Sequence, residues 1–549
     1  MLALAFCIYA FHSSSLIEYA YDDAFISCRY AENLANGHGL VYNIGERVEG
    51  YTNFLWTLLL AGAIRLGADP IVFAKALGIL FAIATMLLTF RLSAWLTGRN
   101  SWQNALPVLF LACSGPFVAW AQWGLEGGMF TFFALLGVFL FLRGIREHQT
   151  LALASLSFAC AALTRPEGVI FFIVCFSYYL LLVWRAATSK RARSARESVA
   201  NEDLATSVLI RRLPLRFAQL IMPFVLIYGA YYVWRYAYYG YPFPNTYYVR
   251  MAGSFSAYMD QWVRGARYIF DFIVQGSGAA VVILIALLWL AYRPSRRSPM
   301  AFLSLFCVIP ILYSLHVGGD SKHFFRLLMP YLPILYILVA QSLYGISRLV
   351  LRNDLAGRVR PLAGVVFAAF IALLLGYTYY FPTFIYFSGG NRPTLSWAFI
   401  RGKTPAHEAV LGYERQKKLV GEWLRKHAPE GTTIATTVAG VTPYYSKLHT
   451  YDMLGVTNEH IAHTEPQPNR NVSVDIEATF PDKPKGIVKN ILITSHLKSD
   501  NEYIIRLNPT LIIEGYDIAF RRAGYKMYRM PIKEFTQHYF AKQPVEFLP

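Results

Sequence analysis

Long apolar runs alternate with short polar connections through the first two-thirds of the chain. A helix that crosses a membrane needs about 20 mostly apolar residues, and several of the runs are shorter than that. The first run has no basic flank and no convincing cleavage site, so we interpret it as an uncleaved span rather than a signal peptide. We predict twelve membrane-spanning helices: Leu2–Ile17, Asn53–Leu66, Ile71–Leu96, Ala105–Trp123, Phe130–Leu142, Leu151–Leu163, Val169–Trp184, Phe217–Tyr238, Ala279–Tyr292, Met300–His316, Leu327–Ile346 and Leu362–Phe381.

From about residue 387 the pattern changes, because the long apolar runs stop. Apolar residues recur at helical spacing between Glu408 and Lys426, which predicts an amphipathic helix. Short β-like runs follow, separated by turn residues: Thr432–Val438, Asn490–Thr494 and Thr510–Ile513. We therefore predict a polytopic α-helical membrane protein, with a membrane domain at residues 1–386 and a soluble α/β domain at residues 387–549.

Composition supports this class of protein. The chain has 549 residues, of which 55% are hydrophobic and only 15% are charged, whereas soluble domains contain about 25% charged residues. The net charge of +18 could indicate a nucleic-acid partner. Much of it lies in short loops between apolar runs, so we expect no nucleic acid to bind.

The distribution of charge predicts an orientation, because Lys and Arg in short loops mark the cytoplasmic side. Basic clusters at Arg185–Arg216, Arg293–Arg297 and Arg348–Arg360 should be cytoplasmic. The first loop contains six acidic and two basic residues, so we place it outside, together with the C-terminal domain. An inside start and an outside end require an odd number of spans, so one span between Asn53 and Val169 is missed or wrongly drawn.

The first loop also holds the best candidates for chemistry. Asp22 and Asp23 directly follow an apolar run, where acidic side chains are costly. Adjacent side chains point in different directions, so one acid can reach a substrate while the other holds a loop or an ion. A carboxylate at the rim of a water-poor site makes a good general base, and Glu49 is a second acidic candidate. Helix capping is the alternative for the aspartates, and an interfacial position is the alternative for Glu49.

A second segment, Gly318–Arg326, combines two glycines with Asp320 and three cationic residues. Lys322, His323 and Arg326 would lie at the depth of a lipid-linked phosphate and could stabilise charge on a phosphate leaving group. Anchoring to lipid headgroups is the alternative.

Two further loops contain candidate substrate-binding residues, in addition to Asp320. Arg165 lies in the hairpin Thr164–Gly168, where a self-satisfied pair with Glu167 is the alternative. Asn245 and Tyr247 could bind sugar hydroxyls, although an aromatic interface belt explains the tyrosine equally well.

Several motifs are missing from the sequence. It has no Walker phosphate loop, no H-E-x-x-H and no G-x-S-x-G, which weakens nucleotide-driven transport, zinc proteolysis and elbow-type serine hydrolysis. A transporter or lipid flippase and a non-catalytic scaffold remain as rivals to an enzyme.

Taken together, these motifs resemble GT-C membrane glycosyltransferases. The likeness is strongest to the terminal arabinofuranosyltransferases of actinobacterial cell walls and their bacterial relatives. It rests on nine segments that span nearly the whole chain: Asp22–Ile26, Arg29–Leu34, Gly37–Asn43, Gly45–Glu49, Thr164–Gly168, Pro244–Tyr248, Gly318–Asp320 with Arg326, Val438–Tyr445 and Tyr451–Gly455.

The resemblance implies a reaction and roles for residues. An acid in the first outer loop serves as base in such enzymes, and the donor is a polyprenyl-phosphate sugar, which implies Asp22 or Asp23 as base with Glu49 as a second acid. We expect transfer to a glycan or protein acceptor at the outer face of a bacterial inner membrane. The run Glu49–Asn53 departs from the actinobacterial pattern, so arabinofuranose is one candidate sugar. Two acids without His or Cys would suit Mg or Mn.

Overall fold

A computed structural model describes residues 1–147, 149–194, 213–251, 255–275, 299–320, 324–352, 365, 368–376, 378, 405–465, 498–513, 518–532 and 537–548. Helices dominate the part before residue 353. They are α1 Leu2–Leu16, α2 Asp22–Ala35, α3 Phe54–Arg65, α4 Pro70–Thr97, α5 Leu106–Cys113, α6 Gly115–Gln122, α7 Gly127–Arg146, α8 Ala152–Thr164, α9 Gly168–Ser194, α10 Leu213–Phe224, α11 Ala230–Tyr239, α12 Asn245–Arg250, α13 Phe255–Gln275, α14 Pro299–Val317 and α15 Leu332–Arg352.

Short helical turns join some of these helices. A π-helical turn at Val225–Gly229 connects α10 to α11, and 3₁₀ turns at Trp102–Ala105 and Arg326–Tyr331 precede α5 and α15. Within the described residues, six helices are long and apolar enough to cross a membrane. The predicted polytopic helical architecture is therefore confirmed. The predicted span at 279–292 lies outside the described residues, as do nine of the twenty residues of the predicted span at 362–381.

One predicted span is broken in the structure. The run from Ala105 to Trp123 forms two short helices, and the stretches Trp102–Cys113 and Gly115–Gln122 meet at an angle of 64°. Pro116 lies in the first turn of the second helix. Because proline has no backbone N–H and its ring crowds the preceding turn, it ends the helical hydrogen-bond ladder there.

Glycines allow two of the membrane helices to approach a third segment closely. A Cβ atom built on Gly78 would lie 1.8 Å from the carbonyl oxygen of Ala121, and one built on Gly128 would lie 2.9 Å from the carbonyl oxygen of Gly78. Helices α4, α6 and α7 therefore pack backbone to backbone, which fixes α6 and the loop after it beside the first loop.

The C-terminal region contains a small mixed sheet. Its helices are α16 Pro405–His427, α17 Val441–Ser446, α18 Glu459–His463, α19 Asn501–Leu507 and α20 Ile518–Arg522, and its strands are β1 Thr433–Thr436, β2 His449–Asp452, β3 Leu511–Ile513, β4 Lys526–Arg529 and β5 His538–Ala541. The strand order is β2-β1-β3-β5-β4, parallel in its first three strands and antiparallel in the rest.

The sheet tests the predicted α/β domain. The predicted helix and the predicted strands at 432–438 and 510–513 coincide with α16, β1 and β3, so the α/β character is confirmed. The predicted strand at 490–494 and the predicted boundary at residues 386 and 387 lie outside the described residues.

The C-terminal domain packs directly on the first loop. Buried Arg29 donates hydrogen bonds to the carbonyl oxygens of Tyr42, Pro443 and Leu448 at 2.8–3.0 Å. The Tyr42 hydroxyl donates to the carbonyl oxygen of Ala439 at 2.6 Å. The first loop and the C-terminal domain are therefore on the same face of the helix bundle.

The close packing of α4 makes a prediction about stability. Replacing Gly78 with Ala should lower the free energy of unfolding by about 2–3 kcal/mol, because the new methyl group overlaps a backbone oxygen and the helices must separate. The midpoint of thermal unfolding in detergent measures this effect. Gly62→Ala is the matched control, since Gly62 lies in helix α3 with open space around its Cβ position. It should be neutral or stabilise the protein by about 0.5–1 kcal/mol; equal midpoints for the two variants would contradict the packing argument.

Candidate active site

Asp22 and Asp23 are the first two residues of helix α2. The backbone of Tyr21 before them is extended, and its N–H donates to the carbonyl oxygen of Trp123 at 3.0 Å. Tyr21, rather than either aspartate, occupies the N-cap position. Successive residues of an α-helix are rotated by about 100°, so the two carboxylates point to different parts of the protein.

Asp22 points to the C-terminal domain. Its carboxylate accepts hydrogen bonds from the backbone N–H groups of Gly440 and Val441 at 3.1 and 2.8 Å. These groups begin helix α17, so the side chain of Asp22 caps that helix from another part of the chain. The Nζ atom of buried Lys417 lies 3.9 Å away. A Cβ atom on Gly440 would lie 2.0 Å from the backbone oxygen of Asp22, so this contact requires glycine. Asp22 thus holds a loop.

Asp23 points to Arg326. Its Oδ2 atom lies 3.5 Å from Nη1 of Arg326, and its side chain is 27% exposed. The other edge of the guanidinium is fixed, because Nε and Nη2 donate to Oδ2 of Asp320 at 2.9 and 2.8 Å. Asp320 is almost fully buried, and Arg250 approaches its second oxygen at 3.7 Å. The structure therefore brings together three of the predicted site residues: Asp23, Asp320 and Arg326.

Unusual backbone precedes Arg326. Phe324 and Phe325 have φ angles of 58° and 47°, in the left-handed region that bulky residues rarely adopt. Packing and hydrogen bonding hold them there: Phe325 lies edge-on to Tyr268, and Trp120 Nε1 donates to the carbonyl oxygen of Phe324 at 3.1 Å. Such strain is typical of functional sites, where the surrounding structure determines the conformation.

A cavity lies beside the guanidinium of Arg326. Residues from four segments line it: Trp120, Leu125–Gly127, Phe130, Arg165, Glu167, Tyr313, Arg326, Leu327 and Met329–Tyr331. The lining is largely apolar, but two arginines and two glutamates face the same space. It is therefore a water-poor site with charged groups at fixed positions.

Arg165 is the centre of the charged network in this cavity. It donates to Glu126 at 2.7 Å and to Glu167 at 2.8 Å, and the Tyr313 hydroxyl donates to Glu167 at 2.7 Å. Burial alone would raise the pKa of Glu167, but the charge and hydrogen bonds of Arg165, with the bond from Tyr313, outweigh it and lower that pKa to about 2. Glu167 is therefore ionised at neutral pH and unsuited to accept a proton. The ion pair between Arg165 and Glu167, which was the alternative to a substrate-binding role, is present. Both residues also line the cavity.

Glu49, Asn245 and Tyr247 belong to a different junction. Glu49 forms a buried ion pair with Arg235: Nε donates to Oε1 at 2.9 Å, and Nη2 lies 2.7 Å from Oε2. Burial raises the pKa of Glu49 to about 7, and Arg235 opposes that rise. The backbone N–H of Asn245 donates to the carbonyl oxygen of Glu49 at 2.9 Å. The ring of Tyr247 packs on Phe243 at 4.4 Å.

The polar groups of this junction are largely used within the protein. The side-chain amide of Asn245 donates to the carbonyl oxygens of Gly455 and Asn458 at 2.7 and 3.0 Å. We therefore interpret Asn245 and Glu49 as residues that fasten the first loop to the C-terminal domain and to α11. Lys322 and His323 lie outside the described residues.

Sequence reasoning missed several residues that shape the site. Arg235 was detectable, since an arginine inside the predicted span 217–238 is costly unless it has a partner. Trp120, whose ring lies 5.4 Å from the Arg326 guanidinium, gave no signal in its apolar run. Arg250 and Lys417 resemble ordinary surface cations in sequence.

The aspartate pair does not fit a shared divalent cation in this arrangement. Asp22 uses its two oxygens on backbone N–H donors, and Asp23 faces a guanidinium. Across the described residues, no group of three or more His, Cys, Asp or Glu side chains could hold a metal. We therefore assign no step to Mg or Mn.

Comparisons with known proteins agree with this fold. A family model described as a domain of unknown function (DUF8728) matches residues 406–545. A curated relative, the terminal β-(1→2)-arabinofuranosyltransferase of Mycobacterium tuberculosis (strain ATCC 25618 / H37Rv), is 27% identical over 349 residues, which make up 56% of this chain and 50% of the relative. The chain thus matches about half the length of that relative, and the predicted resemblance to this group is confirmed.

The crystal structures of ArnT from Cupriavidus metallidurans are similar over nearly the full length. The form bound to undecaprenyl phosphate has a TM-score of 0.54 at 12% identity, and the apo form has 0.50 at 14%. In both comparisons the match covers 98% of this chain and 96% of ArnT. This likeness confirms the predicted GT-C type of fold.

The Asp22 contact predicts how the C-terminal domain is held. Asp22→Ala should accelerate amide hydrogen exchange at residues 440–446 by about tenfold to a hundredfold, since two bonds to an ionised acceptor are lost. Hydrogen exchange read by mass spectrometry measures this. Glu18→Ala is the control, because it removes an exposed ion pair to Arg415, and exposed pairs contribute little. Equal protection in the two variants would contradict the capping role.

Proposed function

We propose that this protein is a membrane glycosyltransferase that uses a polyprenyl-phosphate-linked sugar as its donor. The observation that supports it most directly is the placement of the Asp23 carboxylate 3.5 Å from Arg326, which lines a water-poor cavity. A base and a phosphate-binding cation are thereby adjacent, as transfer from a sugar phosphate requires.

The donor phosphate would bind at Arg326. Asp320 holds one edge of the guanidinium, so the Nη1 edge is pre-oriented toward the site. Arginine is well suited to phosphate oxygens because its N–H groups form a planar fork. Arg165 supplies a second positive charge in the same cavity. ArnT, which has this fold, has been crystallised with undecaprenyl phosphate; a lipid phosphate of that kind fits the mixture of apolar and cationic lining.

The reaction needs one proton acceptor and one leaving group. An acceptor hydroxyl gives its proton to Asp23 as its oxygen forms a bond to the anomeric carbon of the donor. The bond between that carbon and the phosphate oxygen breaks, and the phosphate leaves as an anion stabilised by Arg326. Before the donor binds, Arg326 attracts the Asp23 carboxylate. A phosphate gives Arg326 another anion to bind, which leaves Asp23 available as a base.

Asp22 and Glu49 then have supporting tasks. Asp22 fixes the start of helix α2, and with it the direction of Asp23, by its bonds to Gly440 and Val441. Glu49 holds the end of the first loop through Arg235. This division of tasks replaces a shared catalytic role for all three acids.

The sugar and the acceptor are finer parts of the proposal. The curated relative is an arabinofuranosyltransferase, so polyprenyl-phosphate arabinofuranose is the first donor to test. The acceptor is a glycan or protein presented from the side of the C-terminal domain. We place that side outside a bacterial inner membrane, because the first loop is acidic and basic clusters lie in other loops.

The rival interpretation as a transporter has less support. The curated relative is a transferase, and a transporter would not need a soluble domain fastened to the residue next to the proposed base. A non-catalytic scaffold would not need the Asp23 carboxylate next to the Arg326 guanidinium.

The base assignment makes a direct prediction. Asp23→Asn should lower kcat for sugar transfer by about 10²–10⁴-fold, because the amide cannot accept the proton. The purified protein in lipid nanodiscs is supplied with polyprenyl-phosphate arabinofuranose and oligosaccharide acceptors, and product is measured by mass spectrometry. The control is Glu147→Gln. Glu147 lies just after helix α7 and pairs with Arg143 of that helix. Transfer at the wild-type rate by Asp23→Asn would reject this base.

The phosphate-binding assignment makes a second prediction. Arg326→Lys keeps the charge but loses the fork that contacts Asp320 and phosphate together. It should raise KM for the donor by about tenfold or more, while KM for the acceptor changes little. Initial rates at varied donor and at varied acceptor separate the two constants. An effect on acceptor KM alone would contradict the assignment.

A further inference from the structure

A second cavity lies on the C-terminal side of the junction, away from Arg326. Five residues line it: Tyr241, Glu459, His460, His463 and Thr464. Tyr241 follows helix α11 of the membrane region, whereas the other four belong to α18 or the residue after it. The cavity is therefore built from both domains and exists only where they meet.

We propose that this cavity is a subsite for a saccharide unit of the acceptor, a proposal that rests on the function proposed above. The rings of Tyr241, His460 and His463 line it, and each histidine packs on a neighbouring tyrosine. The ring of His463 packs against Tyr241 at 4.6 Å and against Tyr248 at 4.3 Å between ring centres. Next to it, His460 is stacked on Tyr503 at 3.9 Å. Aromatic walls with polar tips suit sugars, which offer apolar C–H faces and a rim of hydroxyls.

The polar groups of the cavity suit a neutral polyhydroxyl ligand. The Tyr241 hydroxyl donates to the carboxylate of Glu459 at 2.5 Å, and Oδ2 of Asp500 lies at hydrogen-bond distance, 2.9 Å, from Nε2 of His460. A carboxylate has acceptor capacity for several donors, so Glu459 can accept further hydrogen bonds from sugar hydroxyls. Among the described residues, the lining contains one acid and two imidazoles and no Lys or Arg, which disfavours a second phosphate.

The position of the cavity relative to the proposed base supports an acceptor rather than a donor. Helix α12 separates the two sites: Tyr248 on it contacts His463, and Arg250 at its end approaches Asp320, the partner of Arg326. An acceptor chain of several sugar units would pass this helix, with its end at Asp23 and an inner unit in the cavity.

The anchoring of α12 keeps this geometry fixed. Asn245 at its start bonds to Glu49 on one side and to Gly455 and Asn458 on the other. The distance between this cavity and the site at Asp23 and Arg326 is therefore fixed by the fold. A subsite at a fixed distance selects acceptors by length, because only a chain long enough to reach both places gains both sets of contacts.

Two variants test the subsite in the full-length protein. His463→Ala removes the ring between Tyr241 and Tyr248, and should weaken saccharide binding by about tenfold. Glu459→Gln keeps the size and the acceptor for Tyr241 but loses the charge, and should weaken it by about threefold. Glu502→Gln is the control, since Glu502 is an exposed acid on helix α19 that does not line the cavity.

The measurements are direct binding and transfer kinetics in nanodiscs. Binding of a linear arabinofuranose pentasaccharide, with maltopentaose and mannopentaose for comparison, is followed by saturation-transfer NMR and calorimetry. Acceptor KM should rise in parallel with the dissociation constant, whereas donor KM and kcat at saturating acceptor stay near wild type. A disaccharide too short to reach the cavity should show no difference between wild type and variants.

The outcomes separate this proposal from the transferase itself. Unchanged pentasaccharide binding and acceptor KM in both variants, with transfer intact, would overturn the subsite and leave the transferase standing. Saccharide binding that His463→Ala weakens, in a protein that transfers no sugar from any donor, would support the cavity and contradict the transferase. Binding of an extended peptide but of none of the saccharides would overturn the subsite.

Discussion

The guanidinium of Arg326 is the interaction on which the site depends. It is shared by two carboxylates, one buried and one partly exposed. The buried partner, Asp320, cannot leave, so it sets the orientation, whereas Asp23 is partly exposed and only 3.5 Å away. Asp320 fixes one edge of the guanidinium, and Asp23 lies farther from the other edge. An arginine held in this way can bind an anion with little reorganisation of the protein.

The rest of the architecture keeps that arrangement in place. Arg326 depends on strained backbone at Phe324 and Phe325, which Trp120 stabilises by its hydrogen bond. Trp120 lies on α6, whose position follows from the close approach of α4 at Gly78. Asp23 in turn depends on the C-terminal domain, through its neighbour Asp22. The membrane core thus positions Arg326, and the soluble domain positions Asp23.

Much of the membrane region could be predicted from sequence, because apolar runs of sufficient length leave few alternatives in a bilayer. The first-loop acids and Arg326 were also predictable as candidates, since charged groups at membrane edges need a reason to be there.

The partners of these residues could not be predicted from sequence. The choice between Asp22 and Asp23 depends on Gly440, which is distant in sequence, and no local pattern reports such a contact. Likewise, the amide of Asn245 could bind a sugar or a backbone carbonyl, and only the fold shows the carbonyls. Strands β2 and β4, with the sequences HTYD and KMYR, lack the apolar run that marked β3.

The cap that Asp22 places on helix α17 also has a consequence for the order of synthesis. The ribosome makes the first loop early, but the backbone groups that secure it emerge only after residue 440. Until then Asp22 lacks these partners, and closing so long a connection comes late in folding. A nascent or truncated chain inserted in the membrane therefore lacks this contact, and the candidate site is completed only with the last quarter of the polypeptide.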